Sequence, residues 1–345
     1  MKIAIVGLGV AGSYLLNTLS EEHDVVGYEM QKEGQFDAVC AWGTSKHEIS
    51  RILSPIDFQF QEYILFEGSY MHIELTEKIL KIPLKGLCCY DKHKVELDLT
   101  KGKNANFGVR VSAATFPYHK YDLVVDATSL QRALLPRIGE QILVPCVEYM
   151  VKYNGKVPYQ DFYIKPFPSN SGYFWYFPLG NNTAYVGAGD YYKTHNEVLD
   201  AFNKTHGGTI MKKIGRPVRL SSPKLCRPFS QGNVVGVGES IGTVFPILGE
   251  GIIPSLHCAQ LLRENLDDIP KYENEVMSKF KDYHDVYSLI KLKMNGKLDL
   301  MKMNGKLNML RNGRLMWTTY RAMKAQEDRF GMEVRINDLW SIMKG

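Results

Sequence analysis

The sequence predicts an α/β protein: a Rossmann-like nucleotide-binding sheet, an inserted antiparallel β-sheet and a helical C-terminal region. Three observations carry this. A glycine turn follows the first apolar run directly, Glu29 closes a second such run 22 residues beyond the first glycine, and the strand–helix alternation then breaks down.

Lys2-Ile3-Ala4-Ile5-Val6 is rich in β-branched residues and reads as a buried strand. It runs into Gly7-Leu8-Gly9-Val10-Ala11-Gly12, after which residues 13–20 have helical spacing. Gly7 permits the tight turn, Gly9 lets the backbone approach a pyrophosphate, and Gly12 lets the helix pack on the strand. The helix N-terminus attracts the phosphate charge. Residues 24–28 form the second strand, and the Glu29 carboxylate is placed to accept hydrogen bonds from a ribose.

Beyond residue 57, alternating runs at 58–66, 85–90, 95–99 and 109–114 read as strands, residues 91–94 as a hairpin connection and 71–80 as a helix. Residues 121–127 look like a buried strand returning to the nucleotide domain. Further strands are expected near 142–153, 161–167, 172–178 and 183–189, with another buried parallel strand at 233–238 and helices from 251 onward. The expected division is a discontinuous nucleotide domain (1–57, 84–135 and 225–270), an antiparallel substrate sheet (136–224) and a basic helical region (271–345).

The 345 residues are 45% hydrophobic and 23% charged, which excludes wholesale disorder, collagen-like repeats and disulfide-scaffold miniproteins. A net charge of +5 gives no ground for a nucleic-acid partner. Six cysteines without a C-x-x-C pair, and without histidines beside them at metal-ligand spacing, argue against a metal site and fit a reducing, cytoplasmic compartment. The first apolar run is broken by three glycines and followed by Glu21-Glu22-His23-Asp24, unlike a signal peptide. The apolar stretch 234–256 contains Glu239, Glu250 and two prolines, unlike a bilayer span.

A nucleotide domain assembled from distant segments around β-sheet insertions resembles flavoprotein oxidoreductases of the para-hydroxybenzoate hydroxylase fold. Gly238-Glu239-Ser240-Ile241-Gly242, Pro246 and Gly249-Glu250-Gly251-Ile252 resemble the second FAD fingerprint in its geranylgeranyl reductase form. That resemblance implies FAD as cofactor, Glu239 on its ribitol or ribose side, Pro246 near the isoalloxazine, and the Gly249, Gly251 and Ile252 amides at the flavin N1/O2 edge. Glu239 stands in place of the usual aspartate. Gly172-Tyr173-Phe174-Trp175-Tyr176-Phe177-Pro178 resembles the Y-x-W-x-F-P motif of the same reductases, with Leu179 where a basic residue is common. On a strand Tyr173, Trp175 and Phe177 share one face, an apolar wall suited to a polyisoprenoid chain and bounded by Pro178. Ala38-Val39-Cys40-Ala41-Trp42-Gly43-Thr44-Ser45 is similar to the C-G-G-G-x-S segment lining the flavin and substrate tunnel. Cys40, Gly43 and Ser45 match, while Ala41 and Trp42 replace glycines, Trp42 being large enough to narrow the tunnel.

Two departures accompany these matches. The family's arginine is missing from residues 68–73, and Asp126-Ala127-Thr128-Ser129 replaces the A-D-G sequence of the hydroxylases. The resemblance implies an FAD-dependent reductase of isoprenoid double bonds, with Tyr173, Cys40 or a water as proton donor and NADH, NADPH or ferredoxin as an undetermined reductant. A flavin monooxygenase or halogenase, a flavin-dependent isoprenoid cyclase and a non-catalytic nucleotide-binding lipid carrier are the alternatives. Residues 288–324 carry nine Lys or Arg against Asp299 and hold a nine-residue repeat around Asn295-Gly296 and Asn304-Gly305. With a lipid substrate, this segment is expected to give peripheral contact with the inner membrane face.

Overall fold

The computed structural model describes residues 1–35, 38, 40–296, 298 and 306–344, with the side chains of 306–311 outside that description. Two compact units emerge, one of residues 1–37, 92–142 and 219–284, the other of residues 38–91, 143–218 and 285–345. This differs from the expected division. Residues 38–57 and 84–91 fold with the inserted sheet, as does the C-terminal region from Asp285.

The first unit is built on a six-stranded sheet ordered Ser230–Gln231, Val234–Gly236, Leu123–Asp126, Lys2–Val6, Asp24–Glu29 and Ala105–Phe107. All pairings from Val234–Gly236 onward are parallel. Ile3, Ala4 and Ile5 are fully buried, as a parallel strand covered on both faces requires. Helices Val10–Leu19, Lys92–Thr100 and Ile252–Glu264 belong to this unit.

The second unit contains a seven-stranded sheet, ordered Thr209–Leu220, Ile142–Lys152, Thr183–Asp190, Gly172–Gly180, Phe162–Pro166, Tyr70–Glu74 and Ile79–Pro83. It also holds a three-stranded sheet of Gly43–Ser45, Leu87–Tyr90 and Ile64–Glu67. One face of the larger sheet is a continuous core of Tyr149, Val151, Phe174, Tyr176, Val186 and Ala188 under Leu199 of helix His195–His206.

Several expected elements change identity. Residues 71–80 are not a helix but most of a hairpin, because Met71 and Ile73 are buried in alternation with partly exposed neighbours. The expected hairpin at 91–94 and strand at 95–99 are replaced by helix Lys92–Thr100. Its buried residues, Lys92, Val95, Glu96 and Leu99, follow helical spacing although Val95, Leu97 and Leu99 also alternate. The strand expected at 109–114 is absent, and Ala105–Phe107 takes the sheet edge instead. Helix His195–His206 and strand Thr209–Leu220 were not anticipated. Asn295-Gly296 ends helix Tyr283–Met294 with Gly296 at φ 63°, the expected turn. Its repeat at 304–305, with Asp299, lies outside the described residues. Among the described residues no helix is long and apolar enough to cross a membrane.

Candidate functional site

In the first unit the glycine turn forms as its spacing demands. Gly7 has φ +92°, and a side chain there would collide with the Ala127 carbonyl oxygen at 2.5 Å. A Cβ on Gly12 would lie 1.8 Å from the Gly7 oxygen, so only glycine lets this helix sit so close to the strand. Gly9 is different. It caps helix Val10–Leu19 without a side-chain hydrogen bond, and a Cβ there would meet only Glu96 Oε1, at 3.8 Å. The space beside Gly9 at the helix start is thus open, which suits a phosphate. Glu29 locks onto this turn: Leu8 N–H donates to its Oε2 at 2.8 Å and Gln31 N–H to its Oε1 at 2.9 Å. These residues fit the pyrophosphate and ribose of a dinucleotide.

Beside the turn lies a residue pair that the sequence reading passed over. Residues 68–73 are largely strand, and the helix next to the turn begins instead at Lys92, whose buried ammonium pairs with Glu96. Burial raises the Glu96 pKa, opposed by Lys92. The pair brings a basic group to a helix start about 20 residues beyond 68–73.

The second fingerprint meets the first within this unit. A Cβ on Gly238 (φ +68°) would lie 3.5 Å from Ala11 Cβ, and Ser129 Oγ donates to Glu239 Oε2. Arg219, 4% exposed, donates to the Glu239 carbonyl at 3.0 Å, to Gln141 Oε1 at 2.9 Å and to the Leu130 carbonyl, tying these turns together. Asp126 is fully buried and accepts from Thr128 Oγ1 at 2.6 Å, Leu134 N–H at 2.8 Å and Leu135 N–H at 3.1 Å. This sequence therefore shapes its own loop where the hydroxylases have A-D-G. Pro246 is buried, Gly249 is exposed at φ 64°, and Gly251 caps helix Ile252–Glu264 without a side-chain hydrogen bond. Glu250 accepts from Ile253 N–H at 2.8 Å, and desolvation pushes its carboxyl up to about 7.

The second unit brings together Cys40, Trp42 and Gly43 with the aromatic strand. Tyr173 and Trp175 form an edge-to-face pair with centroids 5.8 Å apart. Phe177 packs on Phe162 at 4.8 Å and against Gly43, where a Cβ would meet its ring at 2.6 Å. Trp42, held at φ 59°, packs on Tyr185 at 4.9 Å, and Tyr185 pairs with Phe177 across the strands. The segment expected to line the flavin and substrate tunnel, Cys40 and Ala41 included, folds in the same unit as the aromatic strand.

At the centre is Glu148, which the sequence reading missed. The cross-strand row runs Glu148, Gly187, Trp175. Because a Cβ on Gly187 would sit 2.2 Å from the indole, its absence lets Trp175 lie across the middle strand. Trp175 Nε1 then donates to Glu148 Oε2 at 2.9 Å, and Cys40 N–H donates to Oε1 at 3.1 Å. Glu148 is 1% exposed, and desolvation outweighs both hydrogen bonds, pushing its carboxyl up to about 7. One signal was available: Glu148 is the sole acidic residue in the apolar strand Ile142–Lys152. Trp175→Phe keeps an aromatic ring, smaller than the indole, and removes the donor. It is expected to lower stability by about 1–3 kcal/mol, read as a lower urea midpoint, and to raise the Glu148 pKa further.

No family model matches the chain. An uncharacterized protein of Methanocaldococcus jannaschii is 25% identical over 334 residues, covering 82% of this chain and 87% of that protein. A digeranylgeranylglycerophospholipid reductase of Thermoplasma volcanium is 28% identical over 165 residues. The match covers 41% of each chain, so this sequence spans about two fifths of that reductase. Among solved structures, a geranylgeranyl bacteriochlorophyll reductase-like protein from Thermoplasma acidophilum superposes with a TM-score of 0.69 at 16% identity, covering 95% of this chain and 98% of that one. A probable FAD-dependent monooxygenase from Pseudomonas aeruginosa gives 0.64 at 14%, covering 91% and 99%. At these identities the structures speak for the fold alone. The fold is that of the FAD-dependent oxidoreductases of para-hydroxybenzoate hydroxylase type, and over about two fifths of its length the sequence is similar to a digeranylgeranylglycerophospholipid reductase.

Proposed function

We propose that the protein is an FAD-dependent reductase that saturates geranylgeranyl-type double bonds, with archaeal-type glycerolipids as the substrate class. The observation that carries this reading is the aromatic strand of the second unit. Its Tyr173–Trp175 pair, with Phe177 and Pro178 beyond, offers an apolar face of the kind a polyisoprenoid recognises by contact area. Similarity to the digeranylgeranylglycerophospholipid reductases supports it.

In this reading Gly7, Gly9, Ala11, Gly12, Glu29 and Lys92 hold the dinucleotide end of FAD, and Glu239, Pro246, Gly249, Gly251 and Ile252 its flavin end. When bound and reduced, FAD supplies the hydride. The protein orients the alkene, excludes water and provides the proton.

Anaerobic incubation with reduced flavin and geranylgeranyl lipids, read by mass spectrometry, is expected to show one H2 added per double bond. No mass gain across several isoprenoid lipids overturns the reading, and an oxygen-dependent product points instead to monooxygenase or halogenase chemistry. Membrane contact has its own support. Helix Lys306–Lys324 exposes Arg314, Trp317, Arg321 and Lys324 at helical spacing on one face, a basic surface with an interfacial aromatic. Co-sedimentation with anionic vesicles is expected to fall in Trp317→Ala and at high salt; unchanged binding in both removes this surface from consideration.

A further inference from the structure

Glu148 has an arrangement that packing does not explain. A carboxyl with 1% exposure carries a desolvation cost that an apolar residue would avoid. It lies on the face of the sheet that bears Tyr173 and Trp175, and no side chain from Gly187 or Gly189 stands between the outer strands. Each of its oxygens receives one N–H, from Cys40 and from Trp175, so its position is fixed from two sides.

The titratable groups gathered around it are Cys40, Cys89, Cys146 and Tyr185. Burial raises Cys89, Cys146 and Tyr185, so these stay protonated through neutral pH. The carboxyl, pushed up to about 7 and held between the Cys40 and Trp175 N–H groups, changes protonation in the neutral range.

We propose that Glu148 is the general acid of the substrate sheet, supplying the proton that completes saturation of a double bond. This rests on the reductase reading above. The Glu148 O–H bond breaks and its proton forms a C–H bond at one alkene carbon. The other carbon receives the hydride from the reduced flavin, and the π pair is consumed. Glu148 is left as a carboxylate and regains its proton from water. Trp175 and the Cys40 backbone are positioning groups in this scheme, holding the carboxyl without themselves reacting.

The test uses full-length protein loaded with FAD and compares wild type with Glu148→Gln and Glu148→Asp. Infrared titration without substrate is expected to show protonated-carboxyl absorbance lost near neutral pH in wild type, and the wild-type minus Glu148→Gln difference isolates the Glu148 band from that of Glu250. With a geranylgeranyl lipid, wild-type kcat is expected to fall as pH rises through the same midpoint. Glu148→Gln is expected to lose about a hundred-fold or more in kcat, with KM little changed and the pH limb gone. Glu148→Asp keeps the acid and is expected to retain the limb with a partial loss of rate. Glu148→Gln with wild-type kcat and pH profile overturns the proposal, as does a band that does not titrate between about pH 5 and pH 9. If neither variant folds, the wild-type infrared midpoint and pH profile decide: coincidence supports the role and disagreement overturns it. A wild-type protein that reduces no isoprenoid overturns the reductase reading and the donor role together, whereas turnover unaffected by Glu148→Gln overturns the donor role alone.

Discussion

Gly12→Ala is expected to produce a strongly destabilised protein that retains no flavin. The new Cβ would lie 1.8 Å from the Gly7 carbonyl oxygen, 2.9 Å from its carbon and 3.3 Å from Ala127 Cβ. Two of these atoms belong to the backbone, so no side-chain rotation relieves the overlap. Helix Val10–Leu19 would have to lift from the strand it packs on. A displacement of that kind costs about 3 kcal/mol or more. The informative contrast is Gly9→Ala, whose Cβ meets nothing nearer than Glu96 Oε1 at 3.8 Å. Gly9→Ala is expected to fold with a near-wild-type urea midpoint while losing flavin, because it fills space that a phosphate needs and not space that the protein occupies. Urea midpoints and the flavin absorbance of the purified variants separate the two outcomes. A Gly12→Ala protein with the wild-type midpoint contradicts the geometry of the turn, and a flavin-replete Gly9→Ala protein contradicts its assignment to the phosphate.

Wild-type stability is expected to decline as pH rises from about 4.5 to about 7, and Glu148→Gln is expected to abolish about half of that decline, Glu250 contributing a similar share. The sign follows from proton binding. Glu148 keeps its proton in the folded protein up to about 7, whereas in the unfolded chain it ionises around its ordinary value of 4.5. Between those limits the folded state binds more protons, so raising the pH favours unfolding. The change accumulated by Glu148 alone is about 3 kcal/mol and is complete above pH 7. Glu327 acts in a different window. Burial pushes it up, but hydrogen bonds from Lys324, Val334 N–H and Lys85 pull it down to about 2, so its contribution disappears only as pH falls below about 4.5. Denaturation midpoints for wild type and Glu148→Gln across this range provide the check. A wild-type curve that is flat or rises from pH 4.5 to 7, with no difference in Glu148→Gln, would show that the carboxyl is not desolvated.

Much of the nucleotide unit was legible in the sequence, because each of its requirements is local. The turn after Val6 needs glycines at 7 and 12 and carries a third at 9, the second strand has its β-branched run, and Glu29 follows at a spacing dictated by one βαβ unit. The aromatic strand was legible for a similar reason, since alternation along Gly172–Gly180 places Tyr173, Trp175 and Phe177 on one face whatever their neighbours. Residues 71–80 and 92–100 were misread because short apolar runs fit a helix or a strand about equally well. Their identity was settled by what each packs on: the parallel partner Phe162–Pro166 for the first, and helix Val10–Leu19 for the second.

The sequence by itself determined that a strand–glycine turn–helix, an acidic residue closing the second strand and an aromatic strand are present, because each is encoded by residues within a few positions of one another. Only the tertiary structure decided that the Cys40–Trp42–Gly43 segment folds with the aromatic sheet and that Lys92 stands beside the glycine turn. It also decided that Glu148, Gly187 and Trp175 form one row on three strands. The physical reason is the same in each case. Desolvation and hydrogen bonding act between residues brought together across strands, and the 27 positions separating Glu148 from Trp175 in the chain carry no trace of that proximity.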